Sequence, residues 1–248
     1  MATEFRIMSF NVQVGDVTDD RAAGVVDIVR RNAPELLGIQ EANGKWMDYL
    51  TPALSDIYGQ VYLGRDNTLR GEGTPVFYKK DTFELLSSGT KWLGDDPDQP
   101  IKTEGARCLR VMSYAELAFR SNGEHIVFIS THLDHGGDDI AVLQAARLKA
   151  LVDGLFGEDA RVFIVGDFNV LPDSKTITYM TGEFGLTSVS NSPEITDDTP
   201  TFHRGIKIDY CMYREKFATP TAYKVINDYD GREYPSDHYA LCADFRLK

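Results

Sequence analysis

Short strand-like runs dominate this sequence, and their order limits the folds that the chain can adopt. The first run, FRIMSFNV at residues 5–12, alternates in the way that puts every second side chain on the same face of a strand. A helical stretch follows from Asp19 to about Arg31, and then a second run, ELLGIQ, ends just before Glu41. A strand, a helix and a strand at this spacing predict a βαβ unit.

Apolar residues in the first helical stretch predict which side of it packs on the sheet. We expect its buried stripe to consist of Ala23, Val26, Ile28 and Val29. Asn43 stands where a second helix would need an N-cap, and that helix would follow the second strand directly.

The middle of the chain changes character, because five short runs follow one another with turn residues and no long helix between them. These runs are GQVYLGR, GTPVFYKK, TFELLSSG, CLRVMSYAELAF and HIVFISTHL. They predict antiparallel sheet. A helix is then expected from Asp138 to Phe156, a strand at RVFIVGDFN, a short helix after Ser174, and final strands at IKIDYCMY, TAYKVIND and YALCADFRL.

No Pro-rich or Ser-rich linker divides the chain, so we expect one domain over residues 1–248. The pattern predicts an α/β fold, a four-layer α/β/β/α sandwich of two mixed, mainly antiparallel sheets with outer helices. Composition agrees, since 42% hydrophobic and 26% charged residues are typical of a globular protein with a sizeable core.

The net charge of −12, from 26 basic and 38 acidic residues, argues against a protein that grips long duplex nucleic acid. It suits a site that concentrates a divalent cation. Three cysteines imply no disulfide framework, and Cys108, Cys211 and Cys242 all lie in runs that suggest buried strand positions. No leader pattern or membrane-length apolar stretch is visible, so we expect a cytoplasmic protein, or a secreted one if a signal peptide has been removed.

Polar residues with useful chemistry recur where the apolar runs end. Each has an ordinary explanation alone: Glu41 could begin a helix, His132 could be a satisfied core histidine, and Asp237 could cap a turn. Asp209, inside a strand, is harder to dismiss because a buried charge needs a partner. The full set is Asn11, Glu41, His132, Asp167, Asn169, Asp209, Asp237 and His238.

One reaction uses all of these groups, namely metal-assisted, in-line hydrolysis of a phosphate ester. Glu41 offers the oxygen that Mg²⁺ prefers, and an asparagine can orient a phosphate without adding negative charge. Asp167 can align or deprotonate water, while Asp209 can hold the imidazole of His238. Zinc is disfavoured because no paired His/Cys spacing appears, and no nucleophile elbow supports covalent catalysis.

Six motifs in order give the sequence a close resemblance to the endonuclease/exonuclease/phosphatase superfamily, which includes deoxyribonuclease-like, metal-dependent phosphoesterases. They are SFNV, GIQE, STHLDH, VGDFN, KIDY and PSDHYAL, spread over residues 9–241. The stretch from residue 71 to Arg107 further resembles a bacterial branch. The resemblance implies a four-layer sandwich and cleavage of phosphate esters with Mg²⁺ or Mn²⁺.

The resemblance also assigns roles to individual residues. It implies metal binding by Glu41 with Asn11 and Asp237. It implies phosphate contacts from Asn11, Asn169, His132 and Arg107. It implies that Asp167 and Asn169 activate water and stabilise the transition state, that His132 assists at the phosphate or leaving group, and that Asp209 pairs with His238. Gln13 departs from relatives that carry an acidic residue at this point, which weakens the argument for a ligand there.

The substrate stays open at this stage. A phosphodiesterase or nuclease acting on nucleic acid or a nucleotide comes first, and a phosphomonoesterase or a lipid- or sugar-phosphate enzyme second. The acidic charge favours a small or single-stranded substrate, which a basic groove at Lys79, Lys80, Arg107, Arg110 and Arg204 would reverse. An inactive binding module on the same fold is the alternative of a different class. The family default is a monomer.

Overall fold

The computed structural model describes residues 3–248 of the chain, which contain four α-helices. The first begins after Thr18, whose hydroxyl accepts a hydrogen bond from the Arg21 N–H and so caps the helix. The second begins after Asn43, whose side chain accepts from two backbone N–H groups. The helices are α1 (Asp19–Asn32), α2 (Gly44–Leu54), α3 (Asp138–Phe156) and α4 (Lys175–Thr181).

The first six-stranded sheet contains both ends of the described chain. In spatial order its strands are β13 (Ala218–Ile226), β14 (Ala240–Leu247), β1 (Glu4–Asn11), β2 (Leu36–Gln40), β4 (Val76–Lys79) and β3 (Tyr58–Val61). Strands β1 and β2 are parallel and are joined through α1, whereas all other neighbours in the sheet are antiparallel.

The second six-stranded sheet repeats this plan. Its strands in spatial order are β5 (Phe83–Trp92), β6 (Val111–Phe119), β7 (His125–His132), β8 (Val162–Asp167), β12 (Asp209–Tyr213) and β9 (Thr187–Ser188). Again one central pair, β7 and β8, is parallel and is joined by a crossover helix, here α3. The other pairs are antiparallel, so both sheets are mixed and mainly antiparallel, as predicted.

Three apolar clusters separate four layers. One fills the space between the sheets and includes Phe5, Phe128 and Phe245. A second packs α1 and α2 on the outer face of the first sheet, and a third packs α3 and α4 on the outer face of the second. The predicted α/β/β/α sandwich is therefore confirmed.

A short polar chain crosses the inner core immediately below the ends of the central strands. The Ser9 hydroxyl donates to Gln40 Oε1 at 3.3 Å, and Gln40 Nε2 donates to Ser130 Oγ at 3.1 Å. All three side chains are buried. Because such groups need partners away from water, this chain fixes the relative position of the two sheets near their rim.

Several local predictions need correction. The buried stripe of α1 includes Ala22 and Val25 together with Ile28 and Val29, while Ala23 is exposed, because the helix sits one residue out of the expected phase. Cys108 is half-buried in the loop before β6, since strand pairing begins only at Val111. The predicted loop near residue 190 contains a two-stranded ribbon, β10 (Asn191–Ser192) and β11 (Ile195–Thr196).

The predicted helix from Asp138 to Phe156 is confirmed at both ends. Ser174 caps α4, and the first helix extends one residue beyond Arg31. Among residues 3–248, no helix combines the length and the hydropathy that crossing a membrane requires.

Candidate active site

Strand register brings three of the predicted residues into one row at the rim of the second sheet. The parallel pairing of β7 and β8 sets His132 opposite Asp167. The antiparallel pairing of β8 and β12 sets Asp209 opposite Asp167 on its other side. Side chains of directly opposed residues lie within contact reach, so Asp167 stands between a histidine and a second carboxylate.

Asn11 reaches this row from the first sheet. Its Nδ2 donates to Asp167 Oδ2 at 3.0 Å and to Glu41 Oε1 at 3.1 Å. Its Oδ1 accepts from the backbone N–H of Gln13 at 2.9 Å, which fixes the orientation of the amide. Asn11 therefore joins two carboxylates that belong to different sheets.

Three residues at this rim adopt left-handed backbone conformations. Gln13, Glu41 and Asn169 have φ angles of 58°, 62° and 54°, which residues other than glycine rarely adopt. Each lies one or two residues beyond the end of a central strand, and the sharp turn folds its segment back over the rim. Glu41 Oε2 then accepts from the backbone N–H of Val14 at 2.8 Å, and Asp167 Oδ1 accepts from that of Asn169 at 2.9 Å. Backbone strain of this kind concentrates at functional sites.

The Asp167 carboxylate is almost completely buried and has an elevated pKa. Burial is the main cause, and the negative charge of Asp209 adds to it. The charge of His238 and the hydrogen bonds from Asn169 and Asn11 act in the opposite direction but are weaker. A carboxylate whose proton affinity is raised in this way suits proton transfer near neutral pH.

Asp209 and His238 form a buried pair. His238 Nδ1 lies 2.9 Å from Asp209 Oδ2, and its Nε2 points towards Asp167 Oδ2 at 3.6 Å. Burial lowers the pKa of His238, yet Asp209 and then Asp167 and Asp237 outweigh it and raise the pKa to about 9. His238 is therefore positively charged at neutral pH, with Nδ1 donating to Asp209.

His132 is the electrostatic opposite of His238. Burial, with help from the positive charge of Arg110, holds its pKa well below the ordinary histidine value. Asn169 Nδ2 donates to the carbonyl of Leu133 at 3.0 Å, which fixes the amide, and the same nitrogen lies 2.9 Å from His132 Nε2. His132 Nε2 therefore accepts a hydrogen bond, and the ring is neutral.

The donor atoms at the rim suit a divalent cation. One ligand atom each from Glu41, His132 and Asp167 lie within 4.8 Å of one another. In addition, Asp237 Oδ1 is buried but has no hydrogen-bond partner among residues 3–248. Carboxylate oxygens, one of them unsatisfied, are the ligands that hard cations select, so the residues present fit such an ion. Asp237 does not belong to this group of three ligand atoms, and its role in metal binding stays a prediction.

Arg107 and Arg110 belong to the same loop but have different surroundings. Arg107 is exposed, and within residues 3–248 its hydrogen bond is made by the backbone N–H, which donates to Asp134 Oδ1 at 3.1 Å. Arg110 is 4% exposed, its Nε forms an ion pair with Asp134 Oδ2 at 3.6 Å, and its Nη2 lies 3.1 Å from His135 Nδ1. Its charge reaches His132. The phosphate contact assigned to Arg107 stays a prediction, and Arg110 is a basic group at the site that no strand-end pattern singled out.

Two of the five residues considered for a basic groove, Lys79 and Lys80, lie away from the site, whereas the Arg204 guanidinium lies 5.7 Å from the centre of the Phe202 ring. Strand β4 runs antiparallel to β2, with Tyr78 opposite Leu36, so its last residues lie beside the start of β2 and away from Glu41. There Lys79 Nζ donates to Glu35 Oε1 at 2.7 Å, while Lys80 Nζ donates to the Ser55 carbonyl. Lys79 and Lys80 therefore face the wrong end of the sheet.

An acidic cavity of about 710 Å³ adjoins the site instead. Its lining includes Gln13, four acidic residues and one arginine, namely Asp16, Asp20, Glu233, Asp237 and Arg21. On the same side, the ring of Phe202 lies 4.6 Å from that of His238. Tyr78 and Trp92 pack in the fold.

Comparisons with known proteins agree with this geometry. Protein angel of Drosophila melanogaster is 26% identical over 169 residues, which cover 65% of this chain and 46% of that protein, so the chain spans about half the length of this curated relative. An endonuclease/exonuclease/phosphatase from Bacteroides vulgatus is 26% identical with a TM-score of 0.88, and the superposition covers 99% of this chain and 100% of that one. A mannosyl-6-phosphatase from Bacteroides thetaiotaomicron VPI-5482 shares the fold at 22% identity and a TM-score of 0.88, over 97% of this chain and 99% of that one.

The sequence profile of one family matches residues 8–238, which is nearly all of the chain and includes every residue of the cluster. The chain therefore belongs to the Endonuclease/Exonuclease/phosphatase family, whose members are phosphoester hydrolases.

Proposed function

We propose that the chain is a hydrolase of small phosphate esters that depends on Mg²⁺ or Mn²⁺ and uses in-line attack by water. The observation that carries the proposal is the placement of Asp167. Its buried carboxylate has a raised pKa and lies between a neutral histidine, His132, and a positively charged one, His238. A base and an acid in such different environments, at one rim, suit a reaction that needs both.

Glu41 would hold the metal, together with Asn11 and Asp237. When bound, the ion would polarise the phosphoryl group and offset its negative charge. Glu41 is held ready for this by the N–H of Val14 and by Asn11, so its oxygens already point into the site. Asn11 adds a neutral amide between the carboxylates, which limits their repulsion.

Asp167 would align the attacking water and take its proton. The Asn169 N–H fixes one oxygen of Asp167, which leaves the other towards the two imidazoles. His238, held at Nδ1 by Asp209, presents a proton at Nε2 to the phosphoryl or leaving-group oxygen. The Asn169 amide would exchange its bond to His132 for one to the phosphoryl oxygens as the negative charge on them grows, and His132 would assist at the leaving group. Arg107 and Arg110 would add positive charge at the loop before β6.

The surroundings of the site favour a small substrate. The adjoining cavity carries the carboxylates of Asp16, Asp20 and Glu233, which would repel the backbone of a long nucleic acid. Lys79 and Lys80 lie at the far end of the first sheet and cannot offset this repulsion. Relatives with the same fold include a sugar-phosphate phosphatase, so monoesters belong in the test beside the diesters and nucleotides that the sequence put first.

Hydrolysis of a substrate panel tests the proposal. The panel pairs bis(p-nitrophenyl) phosphate with p-nitrophenyl phosphate, and adds nucleotides, sugar phosphates, and single- and double-stranded DNA, each with Mg²⁺, Mn²⁺ or EDTA. We expect metal-dependent turnover that His238→Ala loses, and little cleavage of duplex DNA. Turnover that survives EDTA would refute the metal dependence, and a protein that binds metal but turns over no member of the panel would favour a binding module.

We also propose that the chain is one domain that acts as a monomer and carries a complete site. Asn11 and Glu41 come from the first sheet and Asp167 and Asp209 from the second, so one chain supplies both halves. Light scattering at the protein concentration of the assay tests this, and activity confined to a dimer would refute it.

A further inference from the structure

Thr201 lies outside the cluster but contacts the strand that carries Asp209. Its side chain is completely buried. The Thr201 Oγ1 accepts two hydrogen bonds, from the backbone N–H of Ile208 at 3.1 Å and from that of Asp209 at 3.0 Å. Ile208 lies immediately before β12 and Asp209 is its first residue, so the hydroxyl holds the backbone where the strand begins. Thr201 therefore sets the position from which the Asp209 carboxylate reaches the site.

The same residue also contacts the segment that carries His238. The Thr201 carbonyl accepts from the N–H of Tyr239 at 2.7 Å, and the next residue but one, His203, donates its N–H to the Asp237 carbonyl at 2.9 Å. These two hydrogen bonds hold the residues immediately before and after His238. The Phe202 ring between them rests on the imidazole, with ring centres 4.6 Å apart.

A tight turn keeps these contacts together. The N–H groups of Thr201 and Phe202 both donate to the Ile206 carbonyl at 3.0 Å, and Gly205 takes a φ of 76°, which a glycine adopts without strain. The turn thus joins two segments that are 29 residues apart in sequence but whose side chains meet at 2.9 Å.

We propose that Thr201 is a positioning residue for the Asp209–His238 pair. This inference rests on the proposed function for its kinetic consequence, though not for its structural one. Its hydroxyl fixes the start of the strand that carries Asp209, its carbonyl fixes the segment that carries His238, and both act through atoms that touch no substrate. Small displacements of a catalytic pair slow the chemical step far more than they weaken substrate binding.

The test compares three substitutions that differ in the hydrogen-bond acceptor at the position of Thr201 Oγ1. Thr201→Ser keeps the oxygen, Thr201→Cys offers the weaker acceptor sulfur, and Thr201→Val has nearly the same shape but no acceptor. We expect kcat to fall in the order Ser, Cys, Val, with a loss of about tenfold to a hundredfold for Val and a KM within about twofold of wild type. Thr176→Val is the matched control, because Thr176 is equally buried but its hydroxyl donates to Asp138, between α3 and α4.

A second readout needs no turnover. In metal-free protein labelled with ¹⁵N-histidine, the proton on His238 Nδ1 should give a low-field resonance that is absent from His238→Ala. We expect Thr201→Val to shift or broaden this resonance, while Thr201→Ser and Thr176→Val leave it unchanged. In an Asp209→Ala background, Thr201→Val should reduce kcat by less than about twofold further, because the carboxylate that Thr201 positions is already missing.

The outcomes of these experiments separate the positioning role of Thr201 from the proposed function. A wild-type resonance in Thr201→Val, or a kcat loss that is fully additive with Asp209→Ala, would overturn the positioning role. A perturbed resonance in Thr201→Val, in a protein that hydrolyses nothing in the panel, would support the positioning role while the proposed function fails. If Thr201→Val does not fold, the comparison of Ser with Cys decides, and equal kcat and equal resonances in these two variants would also overturn the proposal.

Discussion

Replacement of Asp167 by asparagine should abolish activity and yet make the metal-free protein more stable. The ionised carboxylate is unfavourable in the folded protein because it is buried and faces Asp209 across the strand pair. Asparagine removes that charge but keeps an oxygen that can accept from the Asn169 N–H. The second oxygen becomes an NH₂ group, which cannot accept from Asn11 Nδ2 and therefore loses that bond.

The balance of these effects can be estimated. The pKa of Asp167 rises from 3.8 to about 7, which at about 1.4 kcal/mol per pH unit corresponds to an unfavourable contribution of up to about 4 kcal/mol at pH 7. Losing the bond from Asn11 costs about 1–3 kcal/mol. We therefore expect a gain of about 1–3 kcal/mol in the free energy of unfolding, or roughly 2–12 °C in melting temperature.

The gain in stability should depend on pH, since only the ionised form of Asp167 is unfavourable in the folded protein. Because the folded-state pKa is raised, the ionised carboxylate destabilises the protein only above its unfolded pKa of 3.8. The free energy of unfolding of Asp167→Asn relative to wild type should therefore rise between about pH 4 and pH 7. Below that range only the lost bond from Asn11 remains, so the variant should be the less stable protein. Calorimetry in EDTA measures this difference, since a bound cation would neutralise the charge and hide the effect.

Asp134 provides the matched control, because it is also completely buried but in the opposite environment. Burial alone would raise its pKa, yet backbone N–H groups of Cys108, Arg107 and Gly136 lower it below the ordinary value, with help from Arg110. Asp134→Asn should therefore lower the free energy of unfolding by about 2–4 kcal/mol at pH 7. This loss should shrink as the pH falls through the lowered pKa of Asp134.

The kinetic half of the prediction is measured on the same samples. We expect kcat of Asp167→Asn to fall by about 10²- to 10⁴-fold, the usual contribution of a general base. An Asp167→Asn protein that melts below wild type in EDTA at pH 7 would show that the carboxylate is not under electrostatic strain. A kcat within tenfold of wild type would show that Asp167 is not the base.

Three further substitutions test other parts of the site. Arg110→Lys should lower kcat/KM by about tenfold in steady-state kinetics, because lysine keeps the charge but loses the guanidinium plane, and unchanged kinetics would exclude a contact with substrate. Asp209→Asn should lower kcat by about a hundredfold and remove the low-field His238 resonance, and a retained resonance would contradict the pairing. Gly166→Ala should lower the free energy of unfolding by about 3 kcal/mol or more in urea titrations, because a Cβ there would lie 2.0 Å from the Thr131 carbonyl oxygen, and wild-type stability would show that β7 and β8 can separate.

Strand alternation explains why much of the site could be predicted from the sequence. In the first run, Asn11 shares a face with Phe5 and Ile7, and these two residues pack between the sheets. A polar residue on that inner face, at the end of the strand, must therefore emerge where the two sheets open to solvent. The same reasoning applies to His132 and Asp167, which end the two parallel strands of the other sheet.

The residues whose location could not be predicted from the sequence are those whose position depends on strand direction or on an irregular loop. Lys79 and Lys80 follow an apolar run just as Glu41 does, but β4 runs antiparallel to β2 and ends at the opposite edge. Arg107 and Arg110 lie in a segment without regular pairing, so no periodicity indicates which one is buried. Thr201 reads as an ordinary loop residue, because its importance lies in backbone groups that the sequence does not display.

The shared architecture of the two sheets explains why the site needs both of them. Each sheet has one parallel pair, and the carboxyl ends of both pairs meet at the same rim, which brings Asn11 to Asp167. The antiparallel neighbours β12 and β14 begin at that rim, so their first residues and those just before them supply Asp209 and His238. A change that shifts one sheet against the other, such as loss of the Gln40 side chain from the polar chain below the rim, should therefore impair catalysis before it unfolds the protein.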